Sequence, residues 1–287
     1  MNMNINWYPG HMKKTLDIMK KSLKMVDIVV EIIDARIPIS SRNPIIDEIL
    51  ENKPRVILMN KKDLADDRET RKWIGHFERQ GHKTVLINSL TGDGINLVEK
   101  ACRSQLEDKF AKLKEKQIQS EVIRLMVVGI PNVGKSTFIN KIAKRKSARV
   151  GNKPGVTRSQ QWIKIRGNME LLDTPGVLWP KFEDQEVGLH LAYTGAIKDE
   201  IMDSENLAFY LIKDLMKLDP KYIEDRYDID SEGMENIDIM DAIARRRGFI
   251  LRGNEIDYLR TANTVLDEFR SGMLGKITLE TVEDLNV

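Results

Sequence analysis

Two short motifs of this chain stand in an order that restricts the folds it can adopt. Asn60-Lys61-Lys62-Asp63 comes first, and Gly129-Ile130-Pro131-Asn132-Val133-Gly134-Lys135-Ser136 follows about seventy residues later. The second is the G-x-x-x-x-G-K-[ST] pattern, whose backbone surrounds nucleotide phosphates. The first is typical of a loop that selects guanine. In ordinary guanine-nucleotide-binding domains the phosphate loop precedes the guanine loop, so the inverted order predicts a circularly permuted domain.

Short apolar runs alternate with helix-like segments through the first two thirds of the chain, which is typical of a doubly wound α/β sheet. Strands are predicted at 27–33, 55–59, 84–87, 122–128, 160–166 and 169–172, the last two joined as a hairpin through Gly167-Asn168. Helices are predicted at 12–25, 43–51, 67–81, 94–120 and 135–144. Beyond about residue 186 only helical periodicity remains. We predict an α/β P-loop GTPase domain with a circularly permuted, parallel-rich sheet over 1–182, followed by a small all-α domain over 186–287.

Composition points to an intracellular, water-soluble chain. Cys102 is the single cysteine among 287 residues, which excludes an internal disulfide and suits a reducing cytoplasm. In its helix-like stretch, a small packed residue is a better interpretation of Cys102 than a nucleophile. No apolar run approaches the roughly 18 residues of a membrane span, and the polar N-terminus does not resemble a secretion signal. We expect a cytoplasmic protein without a membrane partner.

The net charge of +2 conceals an asymmetry along the chain. Residues 196–287 carry 12 basic and 21 acidic side chains, whereas residues 1–195 carry 34 basic and 23 acidic ones. Three basic patches stand out: Lys13, Lys14, Lys20, Lys21 and Lys24; Lys141, Lys144, Arg145, Lys146 and Arg149; and Arg245, Arg246 and Arg247 with Arg252 and Lys276. Few aromatic residues accompany them, which favours phosphate contact and shape reading over base stacking. We expect an RNA partner and no DNA, although nucleotide phosphates, solvation and helix ends also explain part of this charge.

The phosphate loop follows a predicted strand and begins a predicted helix, which is the context this motif requires. The amides of Val133, Gly134, Lys135, Ser136 and Thr137 are expected to surround the α- and β-phosphates. Lys135 is expected to bridge the β- and γ-phosphates as a catalytic cation, and Ser136 to bind Mg²⁺. The alternative is a glycine turn with a structural lysine. In potassium-activated GTPases the position of Asn132 binds K⁺ beside the phosphates; an asparagine that only shapes the loop is the alternative.

A second phosphate-sensing element is predicted about forty residues later, where Asp173-Thr174-Pro175-Gly176 follows a strand. Asp173 is expected to orient Mg²⁺ through water, and the Gly176 amide to reach the γ-phosphate. Thr157, between the two elements, is the candidate switch threonine that binds Mg²⁺ only with GTP. A plain loop threonine is the alternative.

The guanine loop selects GTP over ATP by hydrogen-bond chemistry. The Asp63 carboxylate can accept both N1–H and N2–H of guanine, whereas adenine has no matching donors. Asn60 can bind the base edge and steady the loop, the Lys61 stem can lie over the ring, and Lys62 completes the motif. Asn88-Ser89-Leu90 is the predicted second base loop, whose backbone amide contacts guanine O6. A charged turn is the alternative for an isolated Asn60–Asp63 motif.

These motifs together resemble those of the circularly permuted GTPases, and over the full length those of the ribosome biogenesis GTPase A family. The further segments that carry the resemblance are Trp7-Tyr8-Pro9-Gly10-His11-Met12, Asp34-Ala35-Arg36 and Arg245-Arg246-Arg247-Gly248. The resemblance implies a GTP hydrolase with GTP or GDP and Mg²⁺ as ligands. It also implies binding to the immature large ribosomal subunit and its rRNA at a late assembly step, with hydrolysis stimulated by the subunit and driving release.

The residues for catalysis depart from the ordinary GTPase pattern. Ordinary GTPases place a water-orienting glutamine after the switch glycine, but this chain has Val177 there, so intrinsic hydrolysis should be slow. The permutation predicts that the N-terminal arm lies near that switch, and the resemblance implies a catalytic role for His11; a surface or capping histidine is the alternative. Val177 keeps open an RNA-binding scaffold with GTP as a structural ligand. Within the enzyme class, the alternative is a GTPase of another RNA process such as tRNA modification. His76, His82 and His190 are assigned no role.

Overall fold

The computed structural model describes residues 19–50, 53–118, 121–143, 162–172, 185–197 and 203–286. Its strands are β1 Ile28–Asp34, β2 Arg55–Asn60, β3 Lys83–Leu86, β4 Ile123–Val128, β5 Trp162–Lys164 and β6 Met169–Leu172. They form one sheet in the order β3-β2-β1-β4-β6-β5. Neighbouring strands are parallel except β5 and β6, which pair antiparallel across the turn containing Gly167. The predicted parallel-rich sheet and its hairpin are therefore confirmed.

Helices cover both faces of the sheet and then form a layer of their own. They are α1 Pro44–Leu50, α2 Asp67–Arg79, α3 Val98–Gln105, α4 Glu107–Glu115, α5 Lys135–Ile142, α6 Gln185–Tyr193, α7 Ser204–Leu218, α8 Lys221–Tyr227, α9 Asn236–Arg247 and α10 Tyr258–Ser271. Short 3-10 turns occupy Ile95–Leu97 and Glu283–Asn286. No helix within these ranges is both long and apolar enough to cross a membrane.

Successive side chains of the central strands point to opposite sides, and both sides are buried because helices cover each face of the sheet. In β1, Ile28, Val30 and Ile32 join the core beneath α3 and α5, whereas Val29 and Ile33 join apolar clusters beneath α1 and α2. Burying each such side chain contributes about 1.5–3 kcal/mol. Cys102 lies in the first of these cores, where burial raises the pKa of its thiol to about 12. This supports its interpretation as a packed residue.

The long helix predicted over 94–120 is wrong, because the structure divides it at Leu106. A 3-10 turn and α3 precede this residue and α4 follows it. Leu106 is buried with φ −112° and ψ 17°, outside the helical region. The apolar stripe of α3 ends there, since α4 has no buried residue. Glu107 and Asp108 also favour a new helix N-terminus through the helix dipole.

A second core lies among the C-terminal helices, where leucines of α7 pack against isoleucines of α9 and Phe269 of α10. Helix α6 belongs to both cores, because Leu191 packs with the sheet and Tyr193 packs with the helices. The division between the residues 1–182 and 186–287 stays a prediction, since one helix joins the two cores.

After α10 the chain returns to the α/β domain as an extended segment, residues 276–282, which we call the C-terminal strap. Its backbone forms two hydrogen bonds with the domain, from Ile277 N to Leu64 O at 2.9 Å and from Leu279 N to Arg36 O at 2.8 Å. The Trp73 indole donates to the carbonyl of Glu280 at 2.9 Å. The strap therefore connects the helical core to the loops that follow β1 and β2.

Candidate functional site

The phosphate loop lies at the carboxyl end of β4 and leads directly into α5. Two glycines permit its close approach to neighbouring loops. Gly129 has φ 149°, and a Cβ there would overlap the carbonyl oxygen of Ile32. Gly134 has φ 101°, and a Cβ there would overlap the Asn60 amide nitrogen. The loop is thus packed between β1 and the guanine loop in a conformation that L-residues rarely adopt.

Lys135 and the open amides of this loop form a site suited to an anion. The Lys135 ammonium donates to the carbonyls of Gly129 at 2.7 Å and Ile130 at 2.8 Å. Burial lowers the pKa of Lys135 from 10.5 to about 8. Among the described residues, no carbonyl outside α5 accepts from the amides of Val133, Gly134, Ser136 and Thr137. Unused amides at a helix N-terminus beside a half-buried cation fit nucleotide phosphates.

Asn60 joins three loops of the candidate site. Its side-chain nitrogen donates to the carbonyl of Val133 at 2.7 Å, and its oxygen accepts from the amide of Ser89 at 2.9 Å. The side chain is buried. The structure therefore gives Asn60 the loop-steadying part of its predicted role, because both ends of its amide are bonded to the phosphate loop and the second base loop.

The two lysines of the guanine loop pair with acidic side chains, whereas Asp63 is exposed. The Lys61 ammonium lies 2.9 Å from Asp34, and the Lys62 ammonium lies 2.6 Å from Asp93. No described side chain forms an ion pair or hydrogen bond with the Asp63 carboxylate. Asp63 is therefore the carboxylate of this motif that is open to a ligand.

The second base loop is shaped by Asn88. Its side-chain oxygen accepts from the amides of Leu90 at 2.9 Å and Thr91 at 3.0 Å, which fixes an Asx-type turn. Ser89 is buried beside the phosphate loop, whereas Leu90 is exposed. The predicted Asn88-Ser89-Leu90 segment thus lies against both other loops, at the same edge of the sheet.

The C-terminal end of α6 touches the phosphate loop. Asn132 donates through its side-chain nitrogen to the carbonyl of Gly195 at 3.0 Å. The neighbouring carbonyls of Ala192 and Tyr193 accept from Arg270 of α10 at 2.9 and 3.0 Å. Cations at a helix C-terminus are favourable because carbonyl dipoles converge there. Phosphate loop, α6 and helical core are therefore linked by direct hydrogen bonds.

Four predicted ligand or catalytic residues lie outside the described part of the chain, namely His11, Thr157, Asp173 and Gly176. Of the predicted Mg²⁺ ligands, Ser136 is described, and it is exposed in the first turn of α5. Its hydroxyl is a suitable oxygen ligand for Mg²⁺. Val177 also lies outside the described ranges.

Two buried charged groups around the site each have a partner that is distant in sequence, Lys61 for Asp34 and Glu280 for His190. Asp34 accepts from Arg36 at 3.0 and 2.8 Å, and burial is outweighed by Arg36 and Lys61, which hold the Asp34 pKa well below its usual range. His190 of α6 bonds Glu280 of the strap at 3.0 Å. No spacing signal connects residues 190 and 280.

The predicted basic patches differ in how far their charges are already paired. Arg246 pairs with Asp228, and Arg247 pairs with Glu268 at 2.8 Å. Arg245 is exposed and forms no ion pair with the described acidic residues. Lys20, Lys21 and Lys24 are also exposed on the helical turn before β1. Part of the second patch, 144–149, lies outside the described residues.

Comparisons with known proteins agree with this architecture. The family model described as "50S ribosome-binding GTPase" matches residues 124–240. The chain is 49% identical to "Ribosome biogenesis GTPase A" of Bacillus cereus, over 98% of this chain and 95% of that protein. It is 36% identical to "Mitochondrial ribosome-associated GTPase 1" of Mus musculus, over 96% of this chain and 89% of that protein.

Solved structures show the same fold. The GDP-bound structure of TM YlqF aligns with a TM-score of 0.64 and 25% identity, covering 93% of this chain and 100% of that chain. GNP-bound YlqF from T. maritima aligns with a TM-score of 0.60 and 24% identity, covering 93% of this chain and 98% of that chain.

Proposed function

This chain belongs to the ribosome biogenesis GTPase A family and is a guanine-nucleotide-binding GTP hydrolase; from that premise we propose that it binds an immature large ribosomal subunit in its GTP state. The bound protein promotes a late assembly step in the cytoplasm. Contact with rRNA stimulates hydrolysis, and hydrolysis drives release. Exposed cations at Lys20, Lys21, Lys24 and Arg245 support an rRNA partner, because phosphate contacts supply most nonspecific affinity for nucleic acid.

The observation that carries this proposal is the hydrogen bond from Asn132 to Gly195 at 3.0 Å. It joins the phosphate loop to α6, and α6 shares the helical core through Tyr193. Loss of the γ-phosphate can therefore change the position of α6 and the helical layer. By the same coupling, a partner bound to the helical layer can change the affinity of the phosphate loop for nucleotide. Nucleotide-dependent binding of a large partner requires such a link.

We assign roles within the site as follows. Lys135 and the amides of 133–137 hold the phosphates, Asp63 selects guanine, and Asn60 and Ser89 fix the base loops. Bound Mg²⁺ would neutralise charge between the β- and γ-phosphates. Its proposed ligands are Ser136, Asp173 through water, and Thr157 in the GTP state.

Three further roles concern hydrolysis itself. Asn132 has its side-chain nitrogen bonded to Gly195, which leaves the side-chain oxygen as a proposed K⁺ ligand. Gly176 is proposed to sense the γ-phosphate and His11 to orient the attacking water. A water-orienting group is typically worth about 10²–10⁴ in rate.

Single-turnover GTP hydrolysis tests the proposed function. We expect purified immature large subunits to raise the rate at least about tenfold, equivalent to roughly 1.4 kcal/mol of barrier, while mature small subunits leave it unchanged. Lys135→Met should abolish both basal and stimulated rates. Nucleotide-dependent binding to large subunits without any stimulation would instead support the RNA-binding scaffold.

A further inference from the structure

We propose that Thr278, on the C-terminal strap, is a positioning residue for guanine recognition, because it holds the backbone of the loop that carries Asp63. The inference rests on the proposed GTP site and adds a specificity determinant from the opposite end of the chain. It makes the strap an integral part of base recognition, although the strap follows the helical core in sequence.

Thr278 is bonded directly to the segment after Asp63. Its hydroxyl oxygen accepts from the amide of Asp66 at 3.1 Å, and the hydroxyl lies 3.4 Å from the carbonyl oxygen of Ala35. One residue earlier in the strap, Ile277 donates its amide to the carbonyl of Leu64 at 2.9 Å. Thr278 is 2% exposed, so water does not compete for these bonds. The strap thus fixes the first and third residues after Asp63.

Asp63 depends on such backbone anchors, because no described side chain bonds its carboxylate. On its N-terminal side the loop is fixed by Asn60, through Val133 and Ser89. On its C-terminal side Asp66 caps α2, accepting from the amides of Arg68 and Glu69 at 2.8 and 2.7 Å. The strap connects this cap to the rest of the protein, so it is the second anchor of the guanine loop.

The strap is itself held firmly. The Glu280 carboxylate accepts from the amides of Ile39 at 2.6 Å and Ser40 at 3.0 Å, and it bonds His190. These charge-assisted bonds are stronger than neutral ones. Thr278 therefore holds the Asp66 backbone against a fixed strap. Loss of its hydrogen bond should increase the positional fluctuation of the Asp63 carboxylate relative to the base.

A positioning role predicts a loss that depends on the base. Guanine offers N1–H and N2–H to a carboxylate, whereas hypoxanthine lacks the 2-amino group. GDP and IDP share the phosphates and ribose, so the ratio of their affinities reports the geometry of Asp63. A purely structural role for Thr278 would weaken both nucleotides equally.

The test measures dissociation constants and off-rates of GDP and IDP for the full-length protein and its variants. Thr278→Val should reduce the preference for GDP over IDP by about three- to tenfold, the effect of losing roughly one buried hydrogen bond. Thr278→Ser keeps the hydroxyl and should restore the wild-type ratio. Thr281→Val is the matched control on the strap, because the Thr281 hydroxyl bonds Asp284 of the following 3-10 turn and does not contact the guanine loop, so this variant should leave the ratio unchanged.

Two further measurements separate the possible failures. Asp63→Ala should bind GDP and IDP equally; a retained preference would reject the guanine assignment itself. If Asp63→Ala behaves as expected but Thr278→Val keeps the wild-type ratio within twofold, the positioning role is wrong. In the wild-type protein, saturating GDP should slow hydrogen exchange at the Ile277 amide more than saturating IDP does, because coupling between sites is reciprocal. Equal protection by GDP and IDP would overturn the inference even if Thr278→Val does not fold.

Discussion

Asp63 is the residue on which base selection should depend most directly. An asparagine in its place presents one acceptor and one donor, which match the N1–H and C2 carbonyl of xanthine. Asp63→Asn should therefore weaken GTP binding and favour xanthosine triphosphate, as measured by competition between the two nucleotides. Asp93→Asn is the control, since Asp93 pairs with Lys62 on the neighbouring loop and should not change the preference. Unchanged GTP affinity in Asp63→Asn would reject the guanine loop.

Lys135 should make phosphate binding depend on pH in a range where lysines are normally charged. Burial lowers its pKa to about 8 in the ligand-free protein, so the ammonium loses its proton as the pH rises above that value. Only the charged form attracts phosphate, and GDP affinity should fall roughly tenfold between pH 8 and pH 9.5. Calorimetric titrations in buffers of different ionisation enthalpy should show proton uptake. Lys135→Met should bind weakly with no such pH dependence.

At the residue scale, the sequence proposes candidate site residues but does not indicate which residues support them. Motif chemistry makes Asn60, Asp63 and Lys135 candidates, because each motif needs a particular functional group at a fixed distance along a loop. Motif chemistry did not predict that the Asn60 side chain forms hydrogen bonds with two other loops through its nitrogen and its oxygen. It also did not predict that Glu280 bonds His190. Such partners are set by tertiary packing, which single-sequence spacing does not encode.

At the scale of elements, the ion pair between His190 of α6 and Glu280 of the strap should make the stability of the fold depend on pH. Burial opposes the charge on His190, but the hydrogen bond and charge of Glu280, with Glu186 and Asp214 also contributing, raise the His190 pKa. The pair's contribution to stability is therefore complete below the unfolded pKa of about 6.5 and is lost as pH rises through the folded value.

Substituting His190 tests this contribution directly. His190→Gln should lower the free energy of unfolding by about 1–3 kcal/mol at pH 6, the range for hydrogen bonds to charged groups. The difference from wild type should shrink on the alkaline side. Urea unfolding of both proteins across this pH range measures it. His76→Gln on α2 is the control, because burial and Arg79 lower the pKa of His76, so its difference from wild type should not shrink on the alkaline side. A difference that grows with pH would contradict the charged pair.

Elements with strong periodicity were predicted well, and those whose limits depend on packing were not. The strands and the β5–β6 hairpin were anticipated, because buried strands read as continuous apolar runs between turn residues. The break at Leu106 was not predicted, since helical propensity continues through it and the end of the buried stripe there is set by tertiary packing. The strap was not predicted either, because most of its hydrogen bonds join residues more than two hundred positions apart, which sequence periodicity does not report.

For the whole molecule, the permutation was the most reliable sequence inference, because motif order does not depend on packing detail. The sheet order β3-β2-β1-β4-β6-β5 places the strand preceding the guanine loop two positions from the strand preceding the phosphate loop, with β1 between them. The motif order does not predict that the C-terminal strap packs against the loops of the α/β domain. The strap returns from the helical core to the guanine loop, so both ends of the nucleotide site contact C-terminal elements.

Binding to the large ribosomal subunit should distinguish paired from unpaired arginines at the end of α9. Arg245 has no acidic partner among the described residues, whereas Arg246 pairs with Asp228. The logarithm of subunit affinity should fall linearly with the logarithm of salt concentration, by about 0.9 per phosphate contact on duplex nucleic acid. Arg245→Ala should flatten that slope by roughly one contact. Arg246→Ala should change the slope less, because its charge is already neutralised within the protein.

Sedimentation with immature large subunits at several salt concentrations measures these slopes, and GTP affinity should stay unchanged in both variants. A salt-independent wild-type affinity would mean that protein contacts, and not rRNA phosphates, dominate the interface; equal slopes for Arg245→Ala and Arg246→Ala would place the RNA-facing surface elsewhere.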